Sequence, residues 1–437
     1  MIRPAWQFET RSAEPQLLHV NATATGGGVA ELLHGLVPHQ RAAGVNAGWV
    51  VIGGNVDFYA VTKYLHNLLH GRADPDRLAD PALMRIYREV LESQTSWFDG
   101  TLGAGDVVVL HDPQTLGLAP ALHDTGARVV WHCHIGAVVP PERGPAAVWR
   151  EMTTELAAVD AVVSTTPEFA PPSVPVGSRF VVPPAVDPAA AKNKELTAAE
   201  VATQLDGIGL TSAVATTRVA TVTQESPVPP GARVVVQVSR WDPLKDMPAV
   251  LRVVEALPQD VHLVLAGVDP LEIPDDPEAP AVFADVLDAL SQLSPEGRSR
   301  AHLVCISQRS PQANALLVNA LQRRADVVLQ KSAEEGFGLT ATEAMLKGRA
   351  VVASAVGGLR TQITHGRNGL LVDPDDHRAL TVALRTLLDD PQLRAELGAC
   401  ARAGVFERYT MNRLVDDYRL FASPGHARDT ALDGVVA

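Results

Sequence analysis

At 437 residues, 46% of them hydrophobic, the chain is too long for one ordinary core and apolar enough to fill two, each of roughly 200 residues. A formal net charge of -13 argues against general nucleic-acid binding and against anionic membrane surfaces, although a small anionic ligand needs only a local positive site. The odd, widely separated cysteines Cys133, Cys305 and Cys400 exclude a disulfide framework or paired zinc spacing. With no apolar leader in Met1 to Pro15 and no bilayer-length apolar run, they point to a cytoplasmic chain.

Short runs rich in Val, Leu and Ile alternate with longer amphipathic stretches, the pattern of strands buried on both faces with helical crossovers between them. The first strands are predicted at Leu17 to Val20, Gly48 to Ile52, Val107 to Leu110, Val129 to His132, Ala161 to Ser164 and Phe180 to Val182. From Asp187 the chain is first helical and charged, then rich in Thr, Val, Ser and Pro without clear period, and a linker is expected there, ending at Pro229 to Gly231. A second set follows at Val234 to Val238, His262 to Ala266, His302 to Cys305, Val327 to Leu329, Ala350 to Ala353 and Gly369 to Val372. Helical stretches at Pro391 to Phe406 and Met411 to Phe421 precede a tail expected to fray from Ser423. The expectation is an α/β protein of two Rossmann-like domains with parallel sheets. They occupy residues 1–186 and 232–408, with 187–231 as linker or insertion and 409–437 as a helix and tail free to pack back on the first domain. Ligands of open parallel sheets bind beyond the carboxyl ends of strands, so two such domains facing each other form one cleft.

The first strand runs into Gly26, Gly27 and Gly28 at the start of a helix, where bare backbone amides and the helix dipole favour an anion; the alternative is an ordinary flexible turn. The spacing is not that of a dinucleotide site and no acidic residue clearly ends the next strand, which disfavours hydride transfer. Two further strand ends carry His111, Asp112 and Gln114, and His132, Cys133 and His134. We expect no metal there, because strand residues alternate between faces and one ion shared across that run is awkward. A histidine serving a substrate hydroxyl is favoured, with His132 the better candidate for a core histidine.

In the second half, Arg240 and Lys245 follow a strand and can converge on a diphosphate; the alternative is two solvated cations. After the strand at Val327 comes Glu335, then Gly336, Phe337 and Gly338, then Leu339 and Thr340 opening a helix, with Glu343 about one turn inside it. Glycine amides and a helix N-terminus suit phosphate, and carboxylates suit sugar and ribose hydroxyls.

Glu335 and Glu343, with seven residues between them, resemble the hallmark of the retaining nucleotide-sugar glycosyltransferases of the GT-B fold, fourth sequence family. The runs His19 to Thr23, Gly26 to His34, Phe58 to Lys63, His111 to Gln114, Cys133 to Ile135, Gln237 to Asp242 and Glu335 to Thr340 are similar to one branch, the trehalose glycosyltransferring synthases, with the retaining trehalose phosphorylases as near relatives. The resemblance implies transfer of glucose from ADP- or UDP-glucose to free glucose, giving α,α-trehalose, with reversal allowed. The rivals are a phosphorylase taking glucose 1-phosphate, a GT-B transferase with another acceptor, an epimerase or hydrolase acting without an acceptor, and a non-catalytic sensor. By position, the resemblance gives Arg240 and Lys245 the diphosphate and Glu343 the ribose. Glu335 and the Gly336 to Gly338 backbone take the donor sugar, with Leu339 and Thr340 beside them. Gly27 and Gly28 take phosphate and His134 the donor glucose, while Asp112, Gln114, Lys63 and Asn67 take the acceptor. It implies small-molecule sugar and sugar-nucleotide partners, no nucleic acid, no membrane and no tightly bound cofactor. The nucleoside-diphosphate-glucose serves as co-substrate, no magnesium requirement is assigned, and a homodimer is allowed. Two departures stand out: Asp246 occupies the usual place of a glycine and sets an anion near the diphosphate, and Gly207 to Pro230 looks longer than the branch carries.

Overall fold

The computed structural model of the protein describes residues 15–24, 28–272 and 278–422, in two compact units: the chain up to Ala185 together with the segment from Met411 on, and Val186–Thr410. In the first unit β1 (Leu17–Asn21), β2 (Ala47–Val51), β3 (Val107–His111), β4 (Arg128–Cys133), β5 (Ala161–Ser164) and β6 (Arg179–Val181) form one sheet in the order β2-β1-β3-β4-β5-β6. Every pairing is parallel. Alternate residues feed two separate cores. Leu18, Val20, Val108, Leu110, Val129 and Trp131 pack with the helices Val56–Leu69 and Pro81–Thr95, while Leu17, Val107, Val109, Val130 and Val163 pack on the opposite face. That second face is covered by the helix Gly28–Ala42 and by the C-terminal helix Met411–Ala422, which supplies Leu414, Val415 and Tyr418.

The second unit holds β7 (Ala220–Thr223), β8 (Arg233–Val238), β9 (Val261–Val268), β10 (Ala301–Ile306), β11 (Val327–Gln330), β12 (Ala350–Ser354) and β13 (Leu370–Val372), in the order β13-β12-β11-β8-β9-β10-β7. All pairs are parallel except β7 with β10. The 187–231 stretch, expected as a linker or insertion, lies within this unit. It carries β7 on the sheet edge and a helix, Ala198–Gly207, opened by a capping box between Thr197 and Glu200. Val201 and Leu205 on that helix are buried, and it packs on the helix Pro311–Arg324.

In each sheet the strand order reverses once near the middle, between β1 and β3 in the first unit and between β8 and β11 in the second. At such a reversal the crossovers leave in opposite directions and open a crevice beyond the carboxyl ends of the two strands. No helix among the described residues is long and apolar enough to cross a membrane.

Leu414 is fully buried in the face that the C-terminal helix covers. Leu414→Ala is expected to destabilise the protein by about 2–5 kcal/mol through lost burial and the cavity left behind, read by denaturant unfolding. A loss below about 1 kcal/mol would mean that the helix is not part of this core.

Candidate functional site

The reversal point of the second unit gathers the polar ends of β8 and β11. Beyond β8, Asp242 caps a short turn, Pro243–Lys245, by accepting from the Leu244 amide at 2.8 Å, and this turn points Lys245 inward. Beyond β11, the Glu335 carboxylate meets it: Oε2 of Glu335 accepts from Lys245 Nζ at 2.5 Å, Ser332 Oγ at 3.1 Å and Gln330 Nε2 at 3.2 Å. With side-chain exposures of 11% for Lys245 and 14% for Glu335, each charge is largely withdrawn from water and is partly compensated by the other. Three donors on one carboxylate oxygen fix the group and direct its other oxygen elsewhere.

Asp246, where the resemblance implies a glycine, adopts φ 43° and ψ 45°, the left-handed region that glycine enters without strain and aspartate tolerates better than most residues. Its carboxylate is bound by Lys331 Nζ, a buried cation one residue past β11. The anion that Asp246 adds next to Lys245 is therefore neutralised locally. Arg240 is more open, at 43% side-chain exposure, with one guanidinium nitrogen 3.1 Å from Asp242 Oδ2.

Gly338 takes φ 93° and caps the helix Leu339–Leu346, while Phe337 is buried against Tyr409 at 5.4 Å between ring centroids. Gly336 is half-buried beside it, and Leu339 and Thr340 form the first turn, with Thr340 Oγ1 donating to Gln330 Oε1 at 2.9 Å. Glu343 is buried on the same helix with Lys192 Nζ 3.2 Å from Oε1, so the two glutamates have separate cations. The Glu335 loop is held from behind at Gly357, φ 40°, where an added Cβ would press into the Glu335 carbonyl oxygen, and by Gly358 N donating to that oxygen at 3.1 Å. Lys331, Gln330, Lys192 and the Gly357-Gly358 pair were not singled out from the sequence. Only the glycine pair after a strand carried a signal.

In the first unit Gly28 opens the helix Gly28–Ala42 and is exposed, whereas Gly27 lies outside the described residues. Lys63 and Asn67 are one turn apart on the helix Val56–Leu69, which packs on the short helix Asp112–Leu116 that carries Gln114. Asp112 sits at φ 60°; its Oδ1 accepts from the His134 amide at 2.7 Å and its carbonyl from Trp131 Nε1 at 3.1 Å. His134 Nε2 is 2.9 Å from His111 Nδ1, and the rings of His132 and His134 stack at 3.8 Å. These two residues are two apart and share a face, so the alternation that separates Cys133 from them does not separate them from each other. Nitrogens of His111, His132 and His134 all lie within 4.8 Å of one another, close enough to hold an ion. His111, however, already uses one nitrogen on His19 and the other on His134, and His132 Nδ1 is 2.5 Å from the Tyr418 hydroxyl, an arrangement of hydrogen-bonded neutral rings.

The sequence profile described as "Trehalose synthase, N-terminal domain" matches residues 19–171, and that of "Glycosyl transferases group 1" matches residues 220–404. Trehalose synthase of Pyrococcus horikoshii is 33% identical over 92% of this chain and 88% of its own. That of Rubrobacter xylanophilus is 34% identical over 93% and 90%. The chain belongs to the trehalose synthase family of glycosyltransferases. A trehalose phosphorylase from Pleurotus pulmonarius is 28% identical, this chain spanning 55% of its length. The structure is similar to that of the UDP-forming α,α-trehalose-phosphate synthase from Burkholderia vietnamiensis, with a TM-score of 0.71 and 15% identity over 96% of this chain and 99% of that one. The two parallel-sheet units are thus those of a GT-B enzyme, and the family is one of trehalose-related glycosyl transfer.

Burial holds His19, His111, His132 and His134 neutral, lowering His19 to about 4 and His134 to about 3 and depressing the other two as well. It lifts the Asp112 carboxyl to about 7, against the pull of the hydrogen bond from the His134 amide. As pH falls from 6.5 toward 4, unfolded histidines take up protons that the buried rings refuse, and stability drops. Asp112 acts in the opposite sense: its contribution is complete below 3.8 and is lost as pH rises through 7. Four rings outweigh one carboxyl. The urea midpoint is expected to fall between pH 6.5 and 4 and to fall more steeply in Asp112→Asn; a rising midpoint would contradict this burial.

Proposed function

We propose that the chain transfers glucose with retention from a nucleoside-diphosphate-glucose, ADP- or UDP-glucose, to the anomeric hydroxyl of free glucose, forming α,α-trehalose. The observation that carries this reading is the Lys245–Glu335 pair at the reversal point of the second sheet, a cation of the kind that suits phosphate joined to a carboxylate of the kind that suits sugar hydroxyls. The likeness to trehalose synthases over both halves of the chain supports the sugars. The UDP-forming name of the Burkholderia enzyme supports a nucleoside diphosphate as leaving group.

In this reading Lys245 and Arg240 neutralise the diphosphate as charge builds on it, and the Gly336–Gly338 backbone with Leu339 and Thr340 lines the donor. Glu335 accepts from glucose hydroxyls, and Glu343 from the ribose. His134 hydrogen-bonds the donor glucose, Gly27 and Gly28 meet phosphate, and Asp112, Gln114, Lys63 and Asn67 receive the acceptor. The bond from the anomeric carbon to the phosphate oxygen breaks while the acceptor oxygen bonds the same face. The acceptor's proton passes to the departing phosphate oxygen, so no protein nucleophile is needed. Catalysis then comes from positioning and from charge stabilisation. The likeness to trehalose phosphorylases favours one second reading, in which glucose 1-phosphate replaces the nucleotide donor.

Product analysis by NMR, with glucose and each of ADP-glucose, UDP-glucose and glucose 1-phosphate in turn, separates the two readings. α,α-Trehalose with release of nucleoside diphosphate is expected, and trehalose from glucose 1-phosphate alone would establish the phosphorylase. Arg240→Ala is expected to lower turnover by about 100-fold, the size of a lost donor to developing charge. A change below about threefold would make Arg240 a surface cation. Glu335→Gln, which keeps the shape of the side chain, should cost turnover on a similar scale while the circular dichroism spectrum is retained.

A further inference from the structure

The first unit contains a line of buried polar groups to which the reading above gives no part except at its end. Gln40 Oε1 lies 3.0 Å from His19 Nε2, His19 Nδ1 lies 2.9 Å from His111 Nε2, and His111 Nδ1 lies 2.9 Å from His134 Nε2. The line runs from the helix Gly28–Ala42 through β1 and β3 to the residue after β4, and the first three members are at most 1% exposed.

A neutral imidazole has one donor and one acceptor nitrogen, so in such a chain each ring dictates the next. The amide oxygen of Gln40 can only accept, which puts the His19 proton on Nε2 and makes its Nδ1 an acceptor. His111 must then donate from Nε2 and accept at Nδ1, and His134 must donate from Nε2. Burial keeps the rings neutral, and this preserves the order, because a doubly protonated ring would break the sequence of donors and acceptors. Two further contacts hold the last ring in place: the His134 amide is fixed by Asp112 Oδ1, and the His132 ring stacks on its face.

We infer that Gln40, through His19 and His111, is a positioning residue that holds His134 in its Nε2-protonated tautomer and so presents Nδ1 as an acceptor for a sugar hydroxyl. The inference deepens the proposed function and rests on the sugar contact given there to His134. The hydroxyl facing this ring must donate, and a sugar lacking that hydroxyl loses the bond. With the Gln40 amide turned over, all three rings would carry the proton on Nδ1, and His134 would be a donor instead.

Nitrogen-15 labelling of histidine in the full chain, read by two-bond nitrogen–proton correlation at neutral pH, distinguishes the tautomers in the wild-type protein. The expected result is a proton on Nε2 of His19, His111 and His134. Gln40→Leu should shift the His134 tautomer ratio by about tenfold, the worth of one neutral hydrogen bond, and lower kcat comparably with less effect on the donor KM. A proton on Nδ1 of His134 in the wild type, or an unchanged tautomer ratio in Gln40→Leu, would overturn the inference. Near-normal turnover of His134→Ala would instead remove the sugar contact, and the relay would still be judged by its tautomers.

Discussion

The arrangement of the second unit depends on keeping two opposite charges together in a largely dry place. Lys245 and Glu335 are 90 residues apart in the chain, on turns after different strands, and each offsets part of the cost of withdrawing the other from water. Their meeting requires β8 and β11 to be neighbours, the turn Pro243–Lys245 to be capped by Asp242, and the Glu335 loop to lie close against Gly357 and Gly358. A second pair, Lys331 with Asp246, also joins these two segments, so one cation and one carboxylate of the two pairs follow each of β8 and β11. Charges already oriented in this way suit the anionic, hydroxyl-rich donor proposed for this site.

The first unit solves the matching problem with neutral groups. His19, His111 and His132 come from three neighbouring strands of a parallel sheet, His134 follows directly, and burial removes their charge. A neutral relay can stay buried without counter-ions provided every ring finds a partner, and it transmits orientation where an ion pair would transmit field. The C-terminal helix takes part, since the Tyr418 hydroxyl reaches His132 and its ring meets His19 edge-on at 5.1 Å.

The fold class was legible because strands of a doubly covered parallel sheet are near-continuous apolar runs, and twelve such runs stand out between amphipathic stretches. The thirteenth strand, β7, was not, because Ala220–Thr223 is a half-exposed edge strand of four residues without an apolar run. Its neighbour, the helix Ala198–Gly207, has only a few buried positions among exposed ones, and their partners on Pro311–Arg324 lie more than a hundred residues on, so its place in the second unit was hidden. At the site, residues inside one motif were legible, as with Glu335 to Thr340. Residues that act through sheet order were not: nothing local marks Lys331 as the partner of Asp246, 85 residues away, or Gln40 as the start of a line ending at His134.

If Lys245 and Glu335 divide the donor between phosphate and sugar, substitution should separate the two halves of the ligand. Calorimetric titration of a nucleoside diphosphate and of its glucose ester, into the wild type, Lys245→Met and Glu335→Gln, tests that division. The account predicts that Lys245→Met weakens both ligands and that Glu335→Gln weakens the glucose ester while leaving the bare diphosphate bound as before. Equal losses for both ligands in Glu335→Gln, or no loss for either, would contradict it.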